Sequence, residues 1–380
     1  MAPGSAPGPR FRIRASTGGR MTSRETNSLA AHLPNARFLV IRRDNIGDLV
    51  CTTPLIHLLR DRFPQAYIAA LVNVYNGAVL AGNKDLDAVY QYSKAKHVRG
   101  KRSVLGVYLE RLGLIWRLRR ERFDFVILAN TGYQRAALRF ARFVGAPHVV
   151  GYVPATGSPR IIDIPLRANA GETIHEVLAV NRLLTPFGIG GESPPARIYP
   201  DERRVLRMRA ALALTEGAKV IGIHISARTP EGRWPIANFS GLIGKLATPG
   251  GTRILLFWSP GDAGDARHPG DDLNASTLLA DCAGLPVRGC PTSELEELVA
   301  GLSLCQTVIC CDGGAMHIAA ALGKTVVALF GNDPARWHPW QTRHVVLRAP
   351  SGRAADIAVG EVADAYQRLC PAVSMMDMPR

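Results

Sequence analysis

The chain has 380 residues, of which 47% are hydrophobic, and its 46 Lys and Arg against 31 Asp and Glu give a formal net charge of +15. At about 150 residues per domain this length favours two domains, and the hydrophobic content excludes a chain that is disordered throughout. No apolar run approaches the roughly 18 residues of a membrane-spanning helix, so the sequence predicts a soluble protein or one that lies on a membrane surface. The basic excess alone suits nucleic acid, an anionic membrane or a phosphate-bearing substrate.

The first 35 residues differ from the rest in composition. Their charged residues are five arginines and one acid, Glu25, set mostly among Pro, Gly, Ser and Ala. Such a segment cannot bury enough apolar surface to fold, so we predict a disordered basic leader over residues 1–35. It has no apolar signal region behind it, and export is not expected.

The seven cysteines are odd in number, show no CxxC spacing and lie mostly inside apolar segments. This pattern is typical of reduced thiols and does not suit disulfides or zinc ligands. We therefore expect a cytoplasmic protein.

From residue 37 onward, short apolar runs alternate with longer periodic stretches. The predicted strands are 38–41, 67–72 and 125–128, and the predicted helices follow the first strand to about residue 62, span 104–120, and span 134–144 up to Gly145. Strands that alternate with helices are typical of βαβ units in a parallel sheet. We therefore predict an N-terminal α/β domain over residues 36–185.

The densest interior cluster of Gly and Pro, at 185–195, indicates a linker, which we place at residues 186–200. A second α/β domain is predicted over 201–350, and a C-terminal helix and tail over 351–380. Its predicted strands are 220–225, 254–257, 307–311 and 326–330, and its predicted helices are 236–247, 293–304 and 315–322. Two such halves form a cleft, and ligands of parallel α/β sheets bind in loops at the carboxyl ends of the strands.

The loop after the first strand, residues 42–54, contains neither GxGxxG nor GxxxxGK[ST], which argues against a dinucleotide fold and a P-loop nucleotidase. Gly47 allows a tight turn and places Asp48 beside the backbone N–H groups that begin a helix. The positive end of that helix would keep Asp48 ionised and able to accept a proton. The alternative, favoured by composition alone, is that Asp48 is only a helix N-cap.

The loop after the strand at 307–311 reads Asp312-Gly313-Gly314 and leads into a helix of small residues. Glycines let an anionic ligand approach the backbone, and the free N–H groups of a first helical turn bind phosphate. The pattern favours a diphosphate site over a plain tight turn. His317 lies in the first turn, where contact with the anion and packing in the core suit the sequence equally well.

The loop after the strand at 220–225 offers the Ser226 hydroxyl and two guanidinium groups, Arg228 and Arg233, which suit phosphate oxygens. A solvated surface loop is the alternative. A histidine and two aspartates at 268–272 are interpreted as a turn that caps the next helix, not as a metal cluster.

Three motifs together resemble glycosyltransferase family 9, the lipopolysaccharide heptosyltransferases of Gram-negative bacteria. They are Arg43-x-x-x-Gly47-Asp48-x-x-x-Thr52-Thr53-Pro54, the loop at 224–235, and the segment at 312–323 that continues into Leu329-Phe330-Gly331-Asn332. The resemblance covers about residues 37–347. It implies a GT-B fold of two Rossmann-like domains, with the N-terminal domain receiving the lipopolysaccharide inner core and the C-terminal domain holding a nucleotide sugar, most often ADP-heptose. It also implies an inverting reaction that requires no metal or other cofactor.

Combined with the loop chemistry, the resemblance assigns a role to each of thirteen residues. Asp48 is the expected base; the expected donor-binding residues are Ser226, Arg228, Arg233, Asp312, Gly313, Gly314, Ala315 and His317; and the expected acceptor-binding residues are Arg43, Asn45, Gly47 and Thr52. The sequence departs from the family at Gly313, where many members carry Thr or Ser, and at Arg233, where heptosyltransferases carry Lys. The loop at 258–265 also lacks a Glu for the nucleotide ribose, and Asp262 and Asp265 are the candidates for that role.

The expected partners are a nucleotide-sugar donor, an anionic glycolipid acceptor and the cytoplasmic face of the bacterial inner membrane, on which the protein would lie peripherally. The basic run at 94–102 and the arginines of the helix after it suit an anionic lipid surface, although a solvated helix face explains them nearly as well. Nucleic acid is not expected, because aromatic residues are only 7% of the chain and no binding module is visible. The alternative function is a GT-B transferase or epimerase that acts on another nucleotide sugar.

Overall fold

The structure is a computed structural model that describes residues 33–92, 104–157, 159–168, 171–247, 252–264 and 269–370. The leader predicted at 1–35 therefore lies outside the described residues, except for Leu33–Asn35, a short 3-10 helix whose Leu33 is buried. The basic run at 94–102 and the tail after residue 370 also lie outside them. Within the described part, no helix is long and apolar enough to cross a membrane.

The first half of the chain forms a parallel sheet of six strands covered by helices on both faces. The strands are β1 (Arg37–Ile41), β2 (Tyr67–Asn73), β3 (Ala88–Tyr92), β4 (Phe125–Leu128), β5 (His148–Tyr152) and β6 (Ile164–Leu166), and the helices are α1 (Ile46–Val50), α2 (Thr53–Arg62), α3 (Val104–Arg120), α4 (Arg135–Val144) and α5 (Glu176–Asn181). Because side chains alternate across a strand, Phe38 packs in the layer with α2 and α5, whereas Leu39 packs with α3 and α4.

The second half forms a second parallel sheet of six strands. The strands are β7 (Lys219–His224), β8 (Thr252–Trp258), β9 (Val287–Pro291), β10 (Thr307–Cys311), β11 (Thr325–Phe330) and β12 (His344–Arg348), and the helices are α6 (Glu202–Ala211), α7 (Ile236–Leu246), α8 (Asp272–Asp281), α9 (Leu295–Ser303), α10 (Gly314–Ala321) and α11 (Val359–Leu369). No helix or strand interrupts residues 188–201, where the chain passes from one half to the other.

The two sheets have the same topology. The strand orders are β3-β2-β1-β4-β5-β6 and β12-β11-β10-β7-β8-β9, so the first strand of each half lies in the middle, beside the fourth. The order of connection reverses at this point, and a ligand crevice opens there in doubly wound folds. The predicted α/β architecture of two Rossmann-like domains is confirmed.

Two features of the elements differ from the prediction. The first predicted helix is broken at Cys51 and Thr52 into α1 and α2. The edge strands β6, β9 and β12 were not predicted, because an edge strand is only partly buried and its apolar pattern is correspondingly weak. The buried strand β5 and the helices α5 and α6 were not predicted either. In contrast, α4 ends at the predicted Gly145, which adopts the left-handed conformation (φ 73°) that glycine allows.

The two halves meet where α1 packs against α10. A Cβ atom on Gly47 would lie 2.5 Å from the His317 ring, and a Cβ atom on Gly314 would lie 3.2 Å from Ile46. Glycine at positions 47 and 314 is therefore what lets the two helices approach so closely. Consequently helix α1, which carries Asp48, lies directly against the helix predicted to bind phosphate.

Candidate active site

The predicted site residues lie at the switch points of the two sheets. Asp48 follows β1, and the loop that follows the adjacent β4 begins at Ala129. In the second half, Ser226 follows β7 and Asp312 follows the adjacent β10. The predicted residues of each half therefore lie at the carboxyl ends of two adjacent strands, which face one cleft between the halves.

At the centre of the first switch point is Arg42, a guanidinium that is only 2% exposed. Its Nη2 donates to Asp48 Oδ1 and, at 2.8 Å, to Glu176 Oε1, while its Nε lies 3.3 Å from Asp44 Oδ2. Its Nη1 donates to the carbonyl of Ala129 after β4. Burial opposes the charge of Arg42, but the three carboxylates outweigh this effect and raise the pKa of the guanidinium above its ordinary value.

Asp48 is the carboxylate of this cluster that both borders the cleft and lies on α1. Its Oδ2 accepts a hydrogen bond from the backbone N–H of Asn45 at 3.0 Å, and its Oδ1 accepts from Arg42. Asn45, not Asp48, is the N-cap of α1. The carboxylate is therefore oriented from two sides, and each oxygen keeps a lone pair with which it can accept a proton.

The other two carboxylates have different partners. Asp44 accepts from the side-chain amides of Asn130 and Gln134, which ties the loop after β1 to the loop after β4. Glu176 is buried and, besides Arg42, accepts from Nε and Nη2 of Arg336 at 3.0 and 2.8 Å. Because Arg336 belongs to the second half, Glu176 carries an ion pair across the cleft.

A cavity of about 360 Å³ opens at this cluster, and its lining is mostly polar. The residues around it are Arg42, Asp44, Asn45, Asp48, Thr131, Gly132, Gln134, Glu176, Arg336 and Trp337. Three carboxylates and two guanidinium groups leave one negative charge in excess when all are ionised. Such a cavity suits a hydroxyl-rich substrate whose proton must be removed.

On the other side of the cleft, Asp312 directly follows β10 and Gly313 precedes the first turn of α10. Burial raises the pKa of the Asp312 carboxyl above its ordinary value, and the charge of Arg228 partly offsets this rise. The first N–H groups of a helix have no acceptor within the helix, so those of Gly314 and Ala315 are available to an anion. A Cβ atom on Gly313 would meet nothing within 4 Å, so a Thr or Ser side chain would have room at this position.

Ser226 and Arg233, two of the predicted donor-binding residues, are hydrogen-bonded to neighbouring loops. The Ser226 hydroxyl accepts a hydrogen bond from the backbone N–H of Ser259 at 3.0 Å. Arg233 donates to the buried carboxylate of Asp271 at 2.8 Å. The segment interpreted from the sequence as a capping turn thus supplies, through Asp271, the anion that orients Arg233.

His317 is buried between the two halves. Its Nδ1 lies 3.8 Å from Cys51 Sγ, and its ring makes an edge contact with Trp337. Burial lowers its pKa to about 4, so the ring is neutral at physiological pH. Of the two interpretations that the sequence left open, this position favours packing.

The predicted acceptor residues occupy different environments. Asn45 is exposed at the cavity, whereas Gly47 is buried against His317. Arg43 points away to the Tyr92 hydroxyl at 2.7 Å, and the Thr52 hydroxyl is buried and donates to the carbonyl of Asp48. Arg43 and Thr52 thus support the loop around Asp48 instead of lining the cavity. As for the ribose candidates, Asp262 accepts from the N–H of Gly264 within its own turn, and residue 265 lies outside the described residues.

Sequence reasoning missed Arg42, Glu176 and Arg336. Arg42 was visible as the first residue of the loop at 42–54, but its burial among carboxylates depends on Glu176, which is 134 positions away. Glu176 and Arg336 are 160 positions apart, and each alone is an ordinary charged residue. In the described ranges, no group of three or more His, Cys, Asp or Glu side chains could hold a metal ion.

Comparison with known proteins adds to this geometry. The sequence model of glycosyltransferase family 9 (heptosyltransferase) matches residues 111–366, more than half of the chain. Lipopolysaccharide heptosyltransferase 2 of Salmonella typhimurium is 24% identical over 343 residues, which cover 85% of this chain and 92% of that protein.

Solved structures share the fold. A family 9 glycosyl transferase from Veillonella parvula superimposes with a TM-score of 0.71 at 19% identity, covering 88% of this chain and 97% of that one. The ADP-heptose lipopolysaccharide heptosyltransferase II of E. coli gives a TM-score of 0.69 at 20% identity, covering 88% and 98%. At these identities the likeness establishes the fold alone.

Proposed function

Because the chain belongs to glycosyltransferase family 9 and is a glycosyltransferase, we propose that it transfers a heptose from ADP-heptose to the inner core of lipopolysaccharide. The observation that carries this proposal is the contact of α1, with Asp48 in the polar cavity, against α10, whose first turn presents backbone N–H groups of the kind that suit a diphosphate. The lipopolysaccharide heptosyltransferase from Salmonella typhimurium and the E. coli enzyme named for ADP-heptose support the choice of sugar and nucleotide.

In the proposed reaction, an acceptor hydroxyl oxygen attacks the anomeric carbon of the donor from the face opposite the diphosphate. The new carbon–oxygen bond forms as the bond to the diphosphate oxygen breaks, so the configuration inverts. The hydroxyl proton passes to Asp48, and the nucleoside diphosphate leaves with the electron pair. Arg42 and the N–H of Asn45 hold the Asp48 carboxylate in one orientation, which lowers the entropic cost of proton transfer.

The departing diphosphate is the charge that the second half must stabilise. The first turn of α10 offers backbone N–H groups and the positive end of the helix dipole, and Arg228 and Arg233 add two cations. Asp271 orients Arg233, so that its forked guanidinium is fixed before the donor arrives. These groups neutralise the leaving group without a metal, and we propose that the reaction needs no cofactor.

The proposed acceptor is an anionic glycolipid, so the enzyme would act at the cytoplasmic face of the inner membrane. Its donor would be a cytoplasmic nucleotide sugar. The free state of all seven cysteines is compatible with that compartment.

A panel of nucleotide sugars tests the donor. Purified protein is heated with ADP-heptose and with ADP-, GDP-, UDP- and dTDP-linked hexoses, and ADP-heptose is expected to raise the melting temperature most, because binding stabilises the folded state by mass action. With heptose-free core lipid, the same donor should release ADP. A larger shift with another nucleotide, or release of a free or epimerised sugar without acceptor, would favour the other transferases and epimerases of this fold.

The variant Asp48→Asn tests the base. The amide keeps the shape of the side chain but cannot take a proton, so kcat should fall by about 10²–10⁴ while the ADP-heptose melting shift stays unchanged. The matched control is Asp85→Asn, which changes a carboxylate of the same half that pairs with His57 outside the cavity. Turnover that persists in Asp48→Asn, or falls equally in the control, would remove Asp48 as the base.

A further inference from the structure

Helix α3 (Val104–Arg120) carries its apolar side chains on two opposite faces. Leu114 and Leu118 are buried against the first sheet, as expected of a helix that covers a core. Leu109, Leu112 and Trp116, however, are 60%, 62% and 58% exposed. Their spacing of three and four residues places them side by side on the solvent face, where a surface helix normally carries polar residues.

These three side chains form one patch on the helix surface and are not isolated exposed residues. Eleven large hydrophobic residues are exposed in the part of the chain that the structure describes, and Phe143 of the adjacent α4 (Arg135–Val144) is a fourth from these two helices. Single exposed apolar residues are normal on any protein, whereas a contiguous stripe on one helix face indicates a surface that becomes covered.

The polar residues of the same two helices are strongly basic. Together α3 and α4 contain seven arginines and one acid, Glu110. Arg135, Arg139 and Arg142 are all exposed and recur at four- and three-residue spacing, so like charges are neighbours along α4. Such a row destabilises an isolated helix by a few tenths of a kcal/mol per pair. The stability of the fold alone therefore does not explain this row of arginines, whereas the binding of an external anion would.

The two helices lie next to one another and reach the cavity. Both pack in the same layer of the first sheet, and Arg119 lies 3.9 Å from the position of a Cβ atom on Gly145, at the end of α4. Gln134, just before α4, donates its side-chain amide to Asp44 in the cavity. Helix α4, which carries part of the basic and apolar surface, therefore begins at the rim of the candidate active site.

We propose that this surface, defined by Leu109, Leu112, Trp116, Arg139, Arg142 and Phe143, docks on an anionic lipid bilayer. This deepens the proposed function, on which it rests, by naming the face that brings the enzyme to a membrane-borne acceptor. Leucine and tryptophan insert at the boundary between headgroups and acyl chains, and the arginines beside them bind lipid phosphates. Arg120, which lies 4.5 Å from the centre of the Trp116 ring, adds a cation beside the inserted aromatic.

The positive charge of this surface favours a lipid bilayer over a second copy of this chain as its binding partner. A two-fold contact of this face with itself would bring two rows of arginines together, with one Glu110 from each copy between them. An anionic bilayer instead supplies opposite charge along the whole face.

Sedimentation with vesicles tests the surface directly. The full chain is mixed with vesicles of phosphatidylcholine alone or of phosphatidylcholine with phosphatidylglycerol. The parent protein is expected to bind the anionic vesicles, and Leu109→Ser/Leu112→Ser/Trp116→Ser is expected to bind at least about thirtyfold more weakly. The matched control, Leu206→Ser/Leu273→Ser, removes two equally exposed leucines from α6 and α8 and should bind like the parent.

A second pair of variants tests the charge. Arg139→Gln/Arg142→Gln should weaken binding to anionic vesicles about twentyfold, since each arginine near such a surface contributes about fivefold, and high salt should erase the difference. The control Arg203→Gln/Arg207→Gln changes two exposed arginines on α6. All of these positions are exposed, so melting temperatures should stay within about 2 °C of the parent.

Several results would overturn the proposal. They are a parent that binds neither vesicle, a stripe variant that binds like the parent, and a control that loses as much as its test variant. Sedimentation that shows a parent dimer converted by the stripe variant to a monomer would instead make this face an interface between copies. Because vesicle binding needs no turnover, failure of the docking surface is separable from failure of ADP-heptose transfer, which is measured in parallel on a delipidated acceptor.

Discussion

The two switch points of this molecule have the same strand order but very different chemistry. At the first, a buried arginine, Arg42, is surrounded by the carboxylates of Asp44, Asp48 and Glu176. At the second, glycines and a helix N-terminus face the cleft, and Asp312 is held in an environment that raises its pKa. The topology thus fixes where each site lies, and the residues after the strands decide what it does.

The two sites also differ in how their charged groups are stabilised. In the first site each charged group has a partner of opposite charge inside the protein, and three carboxylates share the buried Arg42, so its loss would leave them without a common cation. In the second, backbone N–H groups and two partly exposed arginines await an anion from outside. The first site is therefore expected to govern stability and proton transfer, and the second to govern donor affinity.

Loss of Arg42 should have the largest effect on folding. Arg42→Gln leaves three carboxylates around a neutral side chain and is expected to lower the free energy of unfolding by about 3–5 kcal/mol. The counterpart in the second half is Arg233→Gln, which leaves Asp271 with the side-chain amide of Asn274 and should cost only about 1 kcal/mol, because Arg233 is 32% exposed and water can replace it. Urea unfolding of both variants checks this, and equal losses would contradict the contrast between the sites.

The contact between the two sites gives the next prediction. Gly47→Ala would place a methyl group 2.5 Å from the His317 ring, and the resulting overpacking should cost about 2–3 kcal/mol. Gly244→Ala, in α7 with no atom within 4 Å of the new Cβ atom, should instead stabilise the protein by about 0.5–1 kcal/mol. The measurement is again urea unfolding, and a neutral Gly47→Ala would show that α1 and α10 are not tightly packed.

Much of this arrangement was predictable because it depends on local patterns. Short apolar runs located the central strands, and the glycines and acids after them located Asp48 and Asp312. Glu176 and Arg336 could not be predicted, because their importance comes from pairing over 160 positions. Thr52 illustrates the same limit within a motif, since its spacing is right for the family while the fold turns its hydroxyl toward the backbone.

Acidification should lower the stability of the protein through His317, which lies at the contact between the halves. Burial lowers the pKa of His317 to about 4, below the ordinary value of about 6.5. As pH falls through 6.5, the unfolded chain binds a proton that the folded chain does not, so stability is lost with acidification. Between pH 7 and pH 5 this histidine alone should cost about 1–2 kcal/mol.

The variant His317→Asn isolates that contribution. Its stability at pH 7 will reflect lost packing, but its further loss between pH 7 and pH 5 should be smaller than that of the parent by about 1–2 kcal/mol. Urea unfolding at both pH values provides the comparison. Since His175 and His224 also have pKa values lowered by burial to about 4, some acid sensitivity should remain. Identical pH dependence in parent and variant would mean that His317 titrates normally.

The smallest expected effect concerns the ion pair that joins the two halves of the chain across the cleft. Arg336 donates to Glu176 from the second half, but it is 44% exposed, so the pair should contribute only about 1 kcal/mol. Arg336→Gln should therefore lower kcat/KM for the acceptor about fivefold and leave donor affinity unchanged, because Glu176 lines the cavity proposed to receive the acceptor. Arg253→Gln, at the opposite end of the second sheet, is the control and should match the parent. A loss of donor affinity in Arg336→Gln would place Arg336 at the diphosphate. It would contradict the proposal that one site serves proton transfer and the other binds the donor.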